Sequence, residues 1–206
     1  MTGVGGFEAI VLAAGSGTRF GGGKLLAAYG GGVLLEGALR AAFAAPVRTV
    51  TVVTGADPSR VAAVATAHAK AAGQGARLRI VHAVDHAEGM GASLRRGAAA
   101  LPADTEGVFV FLGDMPRIPV AVLEPLAQAI ADGAPAAAAT FGGKRGHPAV
   151  IGAGLIPQLL TLTGDAGARA VLQGLGERLA LVEAPDDGVL FDVDQPADLD
   201  GPLRER

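Results

Sequence analysis

Ile10-Val-Leu-Ala-Ala-Gly-Ser-Gly-Thr-Arg-Phe-Gly-Gly-Gly-Lys24 joins an apolar run to a glycine-rich loop carrying one arginine and one lysine. A buried strand that empties into such a loop is a phosphate-binding arrangement. Glycines let backbone N–H groups approach anionic oxygens, and the cations add charge. Spacing separates the kinds of nucleotide site. The dinucleotide fingerprint needs Gly-x-Gly-x-x-Gly and an acid after the second strand. Gly15 and Gly17 fit, but Phe20 stands at the third position, and the second strand runs out as Val52-Val53-Thr54-Gly55 with no acid before Asp57. The P-loop needs glycine, four residues, then Gly-Lys-Ser/Thr. Gly23-Lys24 is present, but Thr18 occupies the first glycine position and Leu25 follows the lysine. Both motifs fail on spacing.

Composition narrows the classes further. The 206 residues suffice for one domain with a substantial core, expected to span 1–206. Half are hydrophobic and only 18% are charged, with no Trp and one Tyr, so Ala, Val and Leu must build the core. A net charge of −3 argues against a nucleic-acid partner, which needs a basic surface. Without cysteine there is no disulfide and no thiolate metal site. The first residues lack the basic and apolar regions of a signal peptide, and no uninterrupted apolar stretch reaches ~20 residues. A cytoplasmic protein with no membrane partner is the expectation.

Strand-like and helix-like segments alternate. Strands are expected at Glu8–Ala13, Arg48–Thr54, Arg77–Ala83, Gly107–Leu112, Ala136–Phe141, Pro148–Gly152 and Arg178–Glu183. Helices are expected at Leu34–Ala45, from Pro58 to about Ala72 with Asp57 as N-cap, at Met90–Leu101, Pro119–Ala131, Ala166–Leu175 and Pro196–Leu203. Pro125 can split its helix in two. The alternation predicts an α/β fold with a mostly parallel sheet and helices on both faces, a three-layer Rossmann-like arrangement. Ligands of such sheets lie beyond the carboxyl ends of the strands.

The residues at those ends form one inventory. Ser16, Arg19 and Lys24 are the polar members of the glycine loop, which reads as a triphosphate cradle. Asp114 follows the apolar strand Val110-Phe111-Leu112-Gly113 and suits Mg²⁺, which favours one or two carboxylates plus phosphate oxygens. Asp192 and Asp194 fall on one side of an extended segment. Asp194 is the preferred second metal ligand, although it could simply cap the last helix. Asp198 reads as a solvated first-turn acid that favours the helix dipole. Glu88-Gly-Met-Gly-Ala-Ser-Leu-Arg-Arg-Gly97 opens a helix whose N-terminus suits an anion or a nucleotide edge, with Ser93 near base or ribose. Gly142-Gly-Lys-Arg-Gly-His-Pro148 is a basic loop between two strands that could receive an anionic acceptor or could be a solvated turn. Asp165 reads as an N-cap; Arg169 could pair with it or face the site.

Taken in order, Leu-Ala-Ala-Gly-x-Gly-x-Arg…Lys24, Glu-Gly-Met-x-x-Ser-Leu-Arg, Leu-Gly-Asp-Met-Pro, Arg-Gly-His-Pro, Gly-Asp-x-Gly-Ala-Arg and Asp-Val-Asp-x-Pro-x-Asp resemble the molybdenum cofactor cytidylyltransferases of the MobA-like NTP transferase family. The resemblance spans about Ile10 to Leu199. It implies a nucleotidyltransferase fold, Mg²⁺ as cofactor, CTP as donor and the molybdenum-pterin cofactor as acceptor. A molybdoenzyme or its chaperone would receive the product. Carried over, Leu12, Ala13, Ala14, Gly15, Ser16, Gly17, Arg19, Lys24, Ser93 and Asp114 would bind nucleotide. Of these, Arg19, Lys24 and Asp114 would be catalytic, and Asp114 and Asp194 would hold the metal. Lys144, Arg145 and His147 would meet the acceptor. Ala14 resembles the cytidylyl form; guanylyl-transferring relatives usually carry glycine there. Gly91 and Ala92 depart from the family, whose members often have serines at those positions. The alternatives are GTP as donor, another phosphorylated acceptor (sugar phosphate, isoprenoid precursor, lactyl phosphate) or an accessory protein that binds without turnover.

Overall fold

Phe7–Ala13 (β1) is buried along its whole length and lies at the heart of a seven-stranded sheet. The structure, a computed structural model, describes residues 5–200. After β1 come a two-stranded ribbon of β2 (Ala28–Tyr29) and β3 (Gly32–Val33), then α1 (Leu34–Ala44), β4 (Val50–Thr54), α2 (Pro58–Ala71) and β5 (Leu78–His82). The second half holds α3 (Met90–Ala99), β6 (Gly107–Leu112), α4 (Leu123–Ala131), β7 (Ala136–Phe141), β8 (Lys144–Gly152), α5 (Ile156–Leu159), α6 (Gly167–Gln173) and β9 (Leu179–Glu183). Sheet order is β5-β4-β1-β6-β8-β7-β9, and β8 alone runs against its two neighbours. The mostly parallel α/β sheet expected from the sequence is present.

Alternation along β1 splits the core. Phe7, Ala9, Val11 and Ala13 face the layer formed by α1, α2 and α4, which bring Leu35, Leu39, Ala65 and Leu126. Ile10, Leu12 and Ala14 face α3, α5 and α6, which bring Leu94, Leu159 and Val171. Small side chains let helices approach the sheet closely. Gly97 of α3 shows how closely: a Cβ there would stand 2.9 Å from Ile10 Cγ2 and 3.0 Å from Val53 Cγ2.

Several local expectations change. Pro125 does not split a long helix. A 3₁₀ turn over Val120–Val122 precedes α4, so the proline falls in the first helical turn, where its missing N–H costs nothing. Asp57 sits at the N-cap of α2 without accepting a capping bond and pairs with Arg60 at 3.1 Å instead. The basic Gly142–Pro148 segment is not a loop. Only Gly142 and Gly143 turn, both at positive φ, and Lys144 and Arg145 already pair with Phe141 and Thr140 as strand residues. The last helix begins at Pro196 as a 3₁₀ helix to Asp200, and its expected end at Leu203 lies outside the described residues. No helix among the described residues is long and apolar enough to cross a membrane.

Candidate active site

Because β1 and β6 run parallel with Leu12 opposite Leu112, the loops leaving them emerge side by side. The Gly113 amide donates to the Leu12 carbonyl at 2.9 Å, locking the Asp114 turn against the start of the glycine loop. The loop itself is a pair of 3₁₀ turns, Thr18–Phe20 and Lys24–Leu26, separated by three glycines. Gly17, Gly21, Gly22 and Gly23 all adopt positive φ, and no other residue type among the described residues does. This is the physical reason for the glycines: the turn needs left-handed backbone. Leu25 plugs into the core and fixes where Lys24 projects.

Lys24 Nζ lies 2.7 Å from Asp114 Oδ2 and 3.7 Å from Asp194 Oδ1. The lysine is largely buried, and Asp114 is only 23% exposed. Arg19 reaches the same centre from solvent, its Nη1 3.5 Å from Asp194 Oδ2. Residues from two ends of the chain thus meet at one point. The C-terminal segment is tied down by the Val193 amide, which donates to the Asp114 carbonyl at 3.1 Å. Asp198 has a more definite part than a solvated first-turn acid. Its Oδ2 accepts from the amides of Asp194 at 2.9 Å and Gln195 at 2.8 Å, which shapes the turn presenting Asp194 and holds the Asp198 carboxyl below the usual carboxylate range. Asp192 belongs to the same region: its carboxyl is pushed up by partial burial and then by the neighbouring Asp194 and Asp114.

A cleft of about 500 Å³ opens beside this centre on the α3 face of the sheet. Leu12, Ala14, Gly15, Ser16, Gly17, Lys24, Ser93 and Asp114 line it, so most of the expected nucleotide residues come together. Ala13 does not: its side chain points to the opposite core layer, as strand alternation requires. Arg19 stands outside the cleft, at its lip with Asp194. His86, Ala87, Met90 and Asp165 also line the cleft, and sequence reasoning missed them as walls. They are gathered by Arg95, which donates to Asp85 Oδ2 at 2.7 Å and Glu88 Oε2 at 3.3 Å and to the Leu162 carbonyl.

The start of α3 is not an open anion site. The Gly91 amide donates to the Gly164 carbonyl at 2.7 Å, and the Met90 amide points to Asp165 Oδ1 at 3.4 Å. Asp165 therefore serves α3, not its own helix α6, which has no side-chain cap. The motif Gly-Met-Gly follows from this docking. A Cβ on Gly89 would sit 2.5 Å from Asp165 Oδ1, and one on Gly91 would sit 2.8 Å from the Gly164 carbonyl oxygen.

The expected acceptor residues divide. Lys144 and Arg145 are exposed on β8 and lie outside the cleft. His147 turns inward: burial lowers its pKa, and a backbone hydrogen bond with Val110 acts against that. Its Nδ1 is shielded and has no hydrogen-bond partner. Asp114, Arg145 and Arg169 all act on its charge.

Metal chemistry is compatible with this centre. Asp114 and Asp194 converge on Lys24 Nζ, and two carboxylates are the hard oxygen donors that Mg²⁺ takes when phosphate oxygens and water supply the rest. Among the described residues no group of three His, Cys, Asp or Glu side chains is arranged to hold an ion unaided, so such a site would need the phosphates.

Comparison with known proteins agrees with this fold. Nicotine blue oxidoreductase from Paenarthrobacter nicotinovorans is 34% identical over 193 residues, 90% of each chain. A Mycobacterium sp. strain JC1 homologue of M. tuberculosis Rv0371c superposes with TM-score 0.77 at 25% identity, covering 94% of this chain and 92% of the other. A nucleotidyl transferase from Methanothermobacter superposes with TM-score 0.72 at 26% identity, covering 93% of each. Residues 9–181 match the model of the MobA-like NTP transferase domain, and the chain belongs to that family.

Proposed function

We propose that the protein is a Mg²⁺-dependent cytidylyltransferase that moves CMP from CTP to the terminal phosphate of the molybdenum-pterin cofactor and releases pyrophosphate. The observation that carries this reading is Lys24, seated between Asp114 and Asp194 at the mouth of the glycine loop. Nucleotidyl transfer needs little more than this. The acceptor phosphate is already ionised near neutral pH, so no general base is required. Its oxygen attacks the α-phosphorus, the new P–O bond forms, and the bond to the bridging oxygen breaks as pyrophosphate leaves. Charge builds on the α-phosphate and the leaving group, and fixed cations lower the barrier by countering it.

Within this reading the glycine loop offers amides to the triphosphate. Lys24 counters charge on it, and Arg19 closes from solvent over the leaving pyrophosphate. Asp114 and Asp194 would hold Mg²⁺, which supplies Lewis-acid polarisation of the phosphate oxygens. Ser93, Met90 and His86 form the wall nearest a base or ribose. Lys144 and Arg145 present charge to an anionic acceptor. His147 follows them on the same strand, its shielded Nδ1 without a hydrogen-bond partner, and is the third residue offered to the acceptor.

One relative bears the name of an oxidoreductase, and that gives a second reading, which we take as a dinucleotide-dependent redox enzyme. The residues here support it less. β4 ends at Thr54 without an acid for the ribose, and the following Gly55 packs directly on Ala14, 2.4 Å from the Ala14 carbonyl oxygen to a Cβ placed there. Purified protein with Mg²⁺ and molybdenum-pterin cofactor should release pyrophosphate from CTP faster than from GTP, ATP or UTP. Equal rates would remove the base preference. No release from any of them, with oxidation of a reduced dinucleotide instead, would establish the second reading.

A further inference from the structure

Lys24, Asp114 and Asp194 come from three segments distant in sequence, and each segment carries a second residue only a few positions away. These are Tyr29 on β2, Arg117 after the Asp114 turn and Phe191 before Asp194. The three meet. Arg117 Nε donates to Tyr29 Oη at 2.7 Å, and the guanidinium carbon lies 3.8 Å from the centroid of the Phe191 ring. The backbone beneath is equally close, since a Cβ on Gly188 would fall 2.1 Å from the Arg117 carbonyl oxygen. A planar guanidinium suits this place, because it can donate in its plane and stack on an aromatic face at once.

We infer that Tyr29, Arg117 and Phe191 form a positioning clamp that sets the spacing of Lys24, Asp114 and Asp194 in the nucleotidyl-transfer site; this rests on the function proposed above. The clamp is not a piece of the core. Neither Tyr29 nor Phe191 belongs to either apolar layer, all three side chains are half-buried, and Tyr29 and Arg117 line a cavity of about 390 Å³. Its loss therefore leaves the sheet intact while freeing the strap that carries Asp194. That strap also meets the Asp114 turn through the bond from the Val193 amide to the Asp114 carbonyl, the contact nearest Asp194 itself. Two carboxylates on unconnected segments make a poor metal site unless their separation is held.

The chain has one Tyr and no Trp, so intrinsic tyrosine fluorescence reads Tyr29 alone. Arg117→Met keeps length and removes the donors; Phe191→Leu keeps apolar bulk and removes the ring face; Arg117→Lys restores charge without the in-plane donor. In Arg117→Met and Phe191→Leu, the Mg²⁺ or Mn²⁺ concentration for half-maximal rate should rise about tenfold or more. CTP affinity measured without metal should stay within about twofold, since the glycine loop is untouched. Tyrosine emission should change in Arg117→Met, and Arg117→Lys should recover only part of the metal response. A metal requirement like that of the wild type, or a loss of CTP affinity matching the loss of rate, would overturn the clamp. Hydrogen exchange at the Val193 amide tests it without turnover: faster exchange in both variants supports the clamp, and unchanged exchange refutes it. Failure of the wild-type protein to transfer nucleotide would count against the function alone, and exchange at Val193 would still decide the clamp.

Discussion

Replacing Gly17 by alanine isolates the glycine loop from the rest of the fold. Gly17 adopts φ of +60°, and an added Cβ would stand 2.9 Å from Lys24 Cβ. Left-handed backbone costs an alanine about 1–2 kcal/mol, and the contact adds pressure on the one lysine that bridges Asp114 and Asp194. The loop can relieve both by opening, because Gly15, Ser16 and Thr18–Arg19 are exposed and hold no core contact. The cost then falls on the binding-competent loop and not on global stability. At 1.4 kcal/mol per factor of ten, CTP affinity in Mg²⁺ should weaken about 5- to 30-fold, with Tm moving by no more than about 2 °C. Isothermal titration and thermal melts of the same preparation measure both. Gly15→Ala is the companion variant: nothing lies within 4 Å of its Cβ, so the free protein is undisturbed, and loss of affinity there reads phosphate approach itself. Wild-type CTP affinity in Gly17→Ala, or a large fall in Tm with affinity intact, would refute the view that this loop is a strained cradle.

If the proposed assignment holds, Arg145→Ala raises KM for the pterin acceptor while leaving KM for CTP near its original value, because Arg145 lies outside the cleft lined by Lys24 and Asp114; steady-state kinetics with each substrate varied separately checks this. Glu8→Ala should cost about 3 kcal/mol, on the order of 10 °C in Tm, since the buried carboxylate accepts from Arg48 Nε at 2.8 Å, the Thr49 amide at 3.0 Å and the Thr49 hydroxyl. Its activity at low temperature should survive, because this anchor sits at the opposite end of β1 from the site. His68 has its pKa lowered from 6.5, chiefly by burial against α1, where it stacks on Phe43. The unfolded chain then binds that proton more readily, so stability falls as pH drops below about 6.5. His147 is shifted the same way, so His68→Gln should reduce the acid-side loss in urea melts without abolishing it.

What the sequence made legible follows from the range of the forces involved. The apolar run of β1, the valines of β4 and the four residues before Asp114 announce buried parallel strands. Strand ends bring Gly15, Lys24 and Asp114 together with no further information. The loop glycines were legible for the same reason, because a positive φ is a local demand. Contacts between distant segments were not legible. Asp165 looks like the cap of α6 because its neighbours in sequence are there, yet it serves α3, seventy-five residues away. Lys144 and Arg145 look like a loop because glycines precede them, yet strand pairing with Thr140 and Phe141 begins at once. Tyr29, Arg117 and Phe191 carry no periodic or motif signal, and only the folded chain shows them stacked.

Transfer of label from α-³²P CTP tests the central claim most directly, with Asp114→Asn beside the wild-type protein. Asp114 accepts the 2.7 Å bond from Lys24 and would hold the metal, so its amide should fold normally and fail to transfer. The account predicts that wild-type protein, Mg²⁺ and molybdenum-pterin cofactor give one labelled nucleotidyl product with equimolar pyrophosphate, and that Asp114→Asn gives none above background. Labelled product at a similar rate from Asp114→Asn, or none from the wild-type protein, would contradict it.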